Sequence, residues 1–217
     1  MKILLLGATG RTGAHVLDCA LQKGYSVSCL VRKPERLKQH PNLSIFEGNS
    51  NNPINLQNAM EGCQAIISVL NISRTSDFPW ARLRTPKTFL SDTMNTIIGL
   101  AKKNNIKRIV LCSAWGAAET RKDVPFWFRR TIDYSNIKYA YIDHERQEQL
   151  LTASNLNYTI VRPTGLTNFN KNLEVKESEN NVPKPNFIIS RKAVAIFMVD
   201  CLEDSSRHHK TITVSNT

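Results

Sequence analysis

No stretch of the 217-residue sequence approaches the ~18 apolar residues that a membrane-spanning helix needs. Cysteine is sparse and unpatterned. Cys19, Cys29, Cys63, Cys112 and Cys201 make an odd number, and no two form a C-x-x-C pair. That spacing excludes the usual zinc site and a disulfide framework. No metal is therefore expected, and a reducing, cytoplasmic location fits best. Acidic residues are the scarcer charge, 18 against 29 Lys and Arg, for a net charge of +11. The basic residues are dispersed, however. No run of five occurs, and no aromatic ladder interleaves with them. A solvated basic surface accounts for them, with an anionic small molecule as the alternative; neither nucleic acid nor a membrane is an expected partner. The opening "MKILLL" is cut off by a glycine turn before it reaches the length of a secretory leader, so none is expected.

What is present is an ordinary apolar content of 41% in a length that suits one domain, residues 1–217. Lys2–Leu6 reads as a buried strand. A helix follows from Thr12, with Gly13, Val16, Leu17, Ala20 and Leu21 on one face, and Gly24 stops it. Strands are expected at Tyr25–Val31, Leu43–Phe46, Ala65–Leu70, Arg108–Cys112 and Tyr158–Val161. Helices are expected at Leu56–Met60, Asp92–Asn104, Asp143–Ala153 and Ser190–Leu202, the last with Ser190 as its N-cap. Thr211–Val214 reads as a final edge strand. Alternating strands and helices imply an α/β fold with a doubly wound, mostly parallel, Rossmann-like sheet. Two long segments, about 71–91 and 115–138, read as loops over a substrate, and Leu173–Asn186 as an insertion loop.

In "GATGRTG", Gly7, Gly10 and Gly13 follow the first strand and open the first helix. Bare backbone at a helix N-terminus suits a phosphate group, because free N–H groups and the helix dipole converge there. The spacing is G-x-x-G-x-x-G rather than G-x-G-x-x-G, and the alternative is a purely structural tight turn. Where an NAD-selecting fold places an acid, at the end of the second strand, this sequence has Arg32 and Lys33. A guanidinium there favours a 2′-phosphate and hence NADP(H) over NAD(H). Arg11, within the turn, reaches toward the same group. The alternative is a solvated basic strand end.

These residues resemble the atypical short-chain dehydrogenases that carry "GATGxTG". More narrowly, the chain is similar to the NmrA-like and biliverdin IXβ reductase/flavin reductase group. The likeness continues in order through "VRKPERL", "ISVLN", "VLCSAWGA", "LTASNLNYTIVRPTGL" and "ISRKAVA", over most of the chain. It implies an NAD(P)H-binding fold and, in the reductase branch, hydride transfer to a flavin, tetrapyrrole or quinone-like acceptor. It places cofactor contacts at Gly7, Thr9, Gly10, Arg11, Thr12, Gly13, Arg32, Lys33, Asn49, Val69, Leu70, Asn71, Ser113, His144 and Pro163. Two departures stand out. Asn49 follows Gly48 where the family has an acid facing adenine, and Ala193 replaces an acid at the start of the late helix.

The oxidising short-chain dehydrogenases use Ser, Tyr and a Lys four residues after the Tyr, the Lys assisting proton transfer at the phenol. "YSNIK" offers Tyr134 and Lys138 at that spacing. The resemblance argues against them: in the similar family the helix runs from the Lys into E-x-L-L-x-x-S-x-L, with the Glu four residues past the Lys. Matching "EQLLTASNL" to that pattern makes the Glu Glu148, and so puts His144 in the lysine's place and Ala140 in the tyrosine's, six residues downstream of Tyr134. A helix with an insertion is the alternative. "DH" at Asp143–His144 resembles the reductase group, so Ser113 and His144 are the catalytic candidates. His144 is expected to act near pH 6.5 if its pKa is unshifted; the alternative is a solvent-facing helical His. Trp80 and Trp115 are expected to cover a flat acceptor, with loop anchoring as the alternative. Flat conjugated acceptors take hydride without a strong acid at the reacting carbon, so positioning matters more than a dyad. The leading reading is an NADPH-dependent reductase of such an acceptor, as a monomer or small homo-oligomer. A non-catalytic NmrA-like NADP(H) sensor acting through a protein partner comes second, and a sugar-nucleotide epimerase or dehydratase third.

Overall fold

The computed structural model describes residues 1–169 and 174–217. β1 (Lys2–Leu6) is apolar at nearly every position because both of its faces are covered. Ile3 and Leu5 join one apolar cluster, and Leu4 and Leu6 join another on the opposite face. The first cluster includes Val16 and Ala20 of α1 (Arg11–Gln22) and Val194 and Met198 of α6 (Arg191–Asp200). The second includes Leu56 and Met60 of α2 (Pro53–Met60), Met94 and Ile97 of α3 (Phe89–Lys103) and Leu151 of α5 (Ile137–Thr152). The period-2 alternation of the strand thus sorts its side chains into two helical layers.

The remaining strands of the main sheet are β2 (Ser26–Val31), β3 (Leu43–Glu47), β4 (Ala65–Ser68), β5 (Arg108–Cys112), β6 (Asn157–Pro163), β8 (Val175–Ser178) and β10 (Lys210–Asn216). Their order is β3-β2-β1-β4-β5-β6-β10-β8, all parallel except β8. β7 (Gly165–Thr167) and β9 (Ile188–Ser190) form a small parallel pair. Successive strands run outward from β1 in one direction and from β4 in the other. That reversal opens a crevice at the carboxyl ends of β1 and β4, where ligands bind in such sheets. The fold is a single α/β domain of Rossmann type.

The helix caps explain two boundaries. Asn52 accepts from the N–H of Ile54 and Asn55, with Pro53 in the first turn. Ser190 accepts from Lys192 and Ala193 at 3.2 and 3.3 Å, so α6 is anchored without the acid that Ala193 replaces.

Several expectations change. β10 is interior, not an edge: β8 pairs antiparallel outside it. The segment read as the insertion loop Leu173–Asn186 supplies that edge strand, while Leu173 lies outside the described residues. The 115–138 segment is not all loop. It contains α4 (Phe126–Asp133) and the first residues of α5. α5 begins at Ile137 rather than Asp143. α3 starts at Phe89, so it takes over the end of the 71–91 segment.

Candidate active site

A cleft of about 470 Å³ lies over the carboxyl ends of β1, β2, β4 and β5. At one end is the glycine turn. Gly7 has φ +89°, and a Cβ on it would stand 2.9 Å from the Val69 carbonyl oxygen. A Cβ on Gly13 would stand 2.0 Å from the Gly7 carbonyl oxygen, so α1 can close onto the turn only over a glycine there. Gly10 is different. Its Cβ would meet one atom, Gly7 O, at 3.2 Å. Internal packing constrains position 10 far less than position 13, since the Gly7 oxygen would have to give by only a few tenths of an ångström. No side chain caps α1 at Gly10, so the first-turn N–H groups remain free toward the cleft. This end fits a diphosphate.

Thr9, Arg11, Thr12, Arg32, Asn49, Val69, Leu70 and Asn71 also line the cleft, as the sequence predicts. Arg32 is exposed at the end of β2, and it has no ion-pair partner among the described residues. The backbone N–H of Asn49 donates to Asn55 Oδ1 at 3.3 Å. Arg11 also has a partner within the protein. Its guanidinium makes a two-pronged contact with Asp77, at 2.8 and 3.0 Å. Lys33 and Pro163 lie outside the lining. Lys33 is exposed at the turn leaving β2, and Pro163 is buried in β6, its carbonyl accepting from Trp115 N–H.

Ser113 and His144 come together at the far end of the same cleft, both buried. Ser113 leaves the last residue of β5, and its Oγ is buried with no hydrogen-bond partner among the described residues. A buried hydroxyl left unpaired at a cleft wall is available to a ligand or to water. His144 is on the inner face of α5 with Ala140, Gln147, Glu148 and Leu151, so it is not solvent-facing. Gln147 Nε2 stands 2.6 Å from His144 Nδ1. An amide N–H at that nitrogen assigns the neutral ring's proton to Nε2. Burial lowers the His144 pKa to about 4. The ring is therefore neutral near pH 7, able to donate a hydrogen bond from Nε2, and its pKa is not the unshifted 6.5. Cys112 lines the cleft too, but burial pushes its thiol up to about 12, which removes it as a nucleophile.

Two networks hold this end, one buried throughout and one running from buried Arg162 and Glu148 out to the exposed Glu119. Asp143 accepts from Leu90 N–H at 2.6 Å, Ser91 N–H at 3.3 Å and Ser91 Oγ at 2.5 Å, so it caps the start of α3 and ties it to α5. In the pair "DH", then, the acid is an anchor and the imidazole faces the cleft. Arg162 on β6 bonds Glu148 at 3.1 and 2.5 Å and also grips Glu119. Burial alone would lower the Arg162 pKa, but the two carboxylates more than reverse this and hold it above its ordinary value. Glu119 is held below the usual carboxylate range by its bond to Arg162.

Neither Tyr134 nor Lys138 lines the cleft. Tyr134 is exposed just past α4, with the Arg130 guanidinium over its ring, and Lys138 sits over the Tyr139 ring. The expected aromatic cover is also absent from the lining. Trp115 is buried against Phe187, and Trp80 donates its indole N–H to the Tyr134 carbonyl. In their place the 71–91 segment contributes Ile72, Arg74, Asp77 and Phe89, and α6 contributes Arg191. The length of that segment flagged it in the sequence; which of its side chains turn inward has no local signature.

The chain belongs to the NAD(P)H-binding family, which matches residues 7–205. It is 31% identical to the photosystem II assembly factor Ycf39 of Trieres chinensis over 64% of this chain and 44% of that protein. The chain thus spans less than half the length of that relative. It is 27% identical to sanguinarine reductase of Eschscholzia californica over 94% of this chain and 84% of the other. In fold it is similar to ChuY, an anaerobillin reductase of Escherichia coli O157:H7, with a TM-score of 0.81 at 18% identity over 99% and 97% of the two chains.

Proposed function

We propose that the protein is a cytoplasmic NADPH-dependent reductase of a planar conjugated acceptor such as a flavin, quinone or tetrapyrrole. The reading rests chiefly on one observation. A single cleft runs from a glycine turn that fits a diphosphate to Ser113 and a neutral His144, and no Tyr–Lys dyad lies on it. Relatives named as reductases support it. When bound, the reduced nicotinamide supplies the hydride. The glycine turn and the free N–H groups of α1 hold the diphosphate, Arg32 pairs with the 2′-phosphate, and Asn49 meets the adenine edge. Ser113 Oγ and His144 Nε2–H orient the nicotinamide and the acceptor. With His144 neutral, water delivers the proton. The bulk of the rate then comes from holding two flat rings in register.

The cofactor part is tested by calorimetric titration of NADPH and NADH. NADPH should bind ~10- to 100-fold more tightly, since a charge-assisted contact to phosphate is worth roughly 1.5–3 kcal/mol. Arg32→Ala should erase that preference. Equal affinities in the unaltered protein would remove the NADP assignment. The chemical part is tested by loss of nicotinamide absorbance with a panel of flavins, quinones and linear tetrapyrroles, and by transfer of deuterium from labelled NADPH into the acceptor.

A second reading is a sensor that binds NADP(H) without turnover and signals to a protein partner. The missing dyad and the assembly-factor relatives favour it. Tight NADPH binding with no acceptor reduced would select it. An epimerase is disfavoured because Ala140 occupies the position where that chemistry needs a tyrosine.

A further inference from the structure

Six large aromatic side chains stand at the surface in the two segments that flank the cleft. Phe78, Trp80, Phe126, Trp127 and Tyr134 are each more than half exposed, and Phe128 is half-buried beside them. The sequence shows them as two separated groups, but the fold joins them. The Phe78 and Trp80 rings are 5.2 Å apart. Trp80 Nε1 donates to the Tyr134 carbonyl at 2.8 Å, and Asn136 Nδ2 donates back to the Trp80 carbonyl at 2.8 Å. Arg130 lies 5.3 Å from the Tyr134 ring and 5.6 Å from the Phe126 ring, with Arg129 5.7 Å from Phe126. Trp127 and Phe128 adjoin at 5.6 Å. Phe78, Trp80, Tyr134, Arg130 and Phe126 thus form one linked aromatic and guanidinium surface, with exposed Trp127 next to Phe126 on α4, and its near edge is one residue from Asp77 at the cleft.

Residues 71–91 and 115–138 hold nine basic and four acidic residues. A contiguous exposed apolar patch of this kind marks an interaction site. Aromatic rings with Arg neighbours match the boundary of an anionic bilayer, where rings sit among headgroups and guanidiniums meet phosphates. A second copy of this chain is a poor occupant, because a symmetric contact would set Arg129 and Arg130 against themselves. Nucleic acid needs bare ring faces for stacking, and those of Phe126 and Tyr134 are taken by arginine. Against the sequence-based expectation of no membrane partner, we propose that this surface docks the protein peripherally on an anionic lipid membrane, with α4 lying in the interface. No helix among the described residues is long and apolar enough to cross one, so the contact is a surface contact. The proposal does not depend on the reductase reading and is testable without nucleotide.

The test is sedimentation of the full chain with vesicles of phosphatidylcholine alone, or with about one third phosphatidylglycerol. Binding is expected to the anionic vesicles only, to weaken with salt, and to shift tryptophan emission to the blue. The pairs Phe126→Ser with Trp127→Ser, and Arg129→Glu with Arg130→Glu, should each lower the apparent affinity about tenfold or more. Ile54→Ser, at an exposed position on α2, should leave it unchanged, and melting curves would confirm that each variant is folded. No binding, equal binding to neutral vesicles, or full affinity in both pairs overturns the proposal. So does concentration-dependent dimerisation, or RNA binding, that the same pairs abolish in a protein indifferent to vesicles.

Discussion

At the glycine-turn end of the cleft, the wall is a single strand, turn and helix, and its shape is set by backbone contacts between Gly7, Gly13 and Val69. At the Ser113 end, the wall is gathered from β5, α5, the start of α3 and the 71–91 segment, and side-chain networks hold it. The first end is rigid because hard-sphere sterics allow one backbone path. The second is held by charges taken out of water and paired, which is stable only while every partner is present. A substitution in the turn should therefore act where it is made. A substitution in a network should act on the whole domain.

The largest effect is expected at the second end. Arg162→Met would leave Glu148 buried and unpaired, at about 3–5 kcal/mol. For a chain of this length that is a drop in melting temperature of roughly 6–20 °C. A change of only a degree or two would show that Glu148 reaches solvent instead, as the exposed Glu119 already does. At the first end the glycines should separate by role. Gly13→Ala forces a Cβ to within 2.0 Å of the Gly7 oxygen and should destabilise by about 1–3 kcal/mol. Gly10→Ala, which needs the Gly7 oxygen at 3.2 Å to give only slightly, should cost less stability than Gly13→Ala yet lose NADPH in a titration. Equal stability losses in the two variants would erase the distinction between a packing glycine and a ligand glycine.

A smaller and pH-dependent effect is expected from His144. Its pKa when folded is about 4, against 6.5 for the free side chain. Between those values the unfolded chain binds the extra proton. The contribution of the neutral ring is complete above pH 6.5 and declines as the pH falls toward 4, by at most about 1.4 kcal/mol per pH unit. Urea midpoints across that range should fall more steeply for the unaltered protein than for His144→Asn, and parallel slopes would contradict a buried neutral ring. The smallest effect is expected at Tyr134. An exposed side chain outside the cleft supplies no proton transfer, which is worth about 10²–10⁴ where it operates. Tyr134→Phe should leave kcat within about threefold, and a hundredfold loss would restore the dyad.

The sequence by itself carried the parallel sheet, the glycine turn and Arg32 at the end of β2. Each of these depends on contacts within a few turns or on a strict period, so local order suffices to read it. The alignment of Ala140, His144 and Glu148 came from the family resemblance, and the structure puts all three on one buried face of an α5 that starts at Ile137, six residues earlier than the local pattern shows. Tertiary structure alone decided the rest. Arg11 turned to Asp77, 66 residues away. Trp115 went inward against Phe187, Val175–Ser178 became the sheet edge outside β10, and His144 lost its ordinary pKa to burial. Two separated groups of aromatics became one surface through a pair of hydrogen bonds between Trp80, Tyr134 and Asn136. Those outcomes depend on which distant residue arrives opposite which, and on how much water is left around a side chain afterwards; neither quantity is written in the local pattern of the chain.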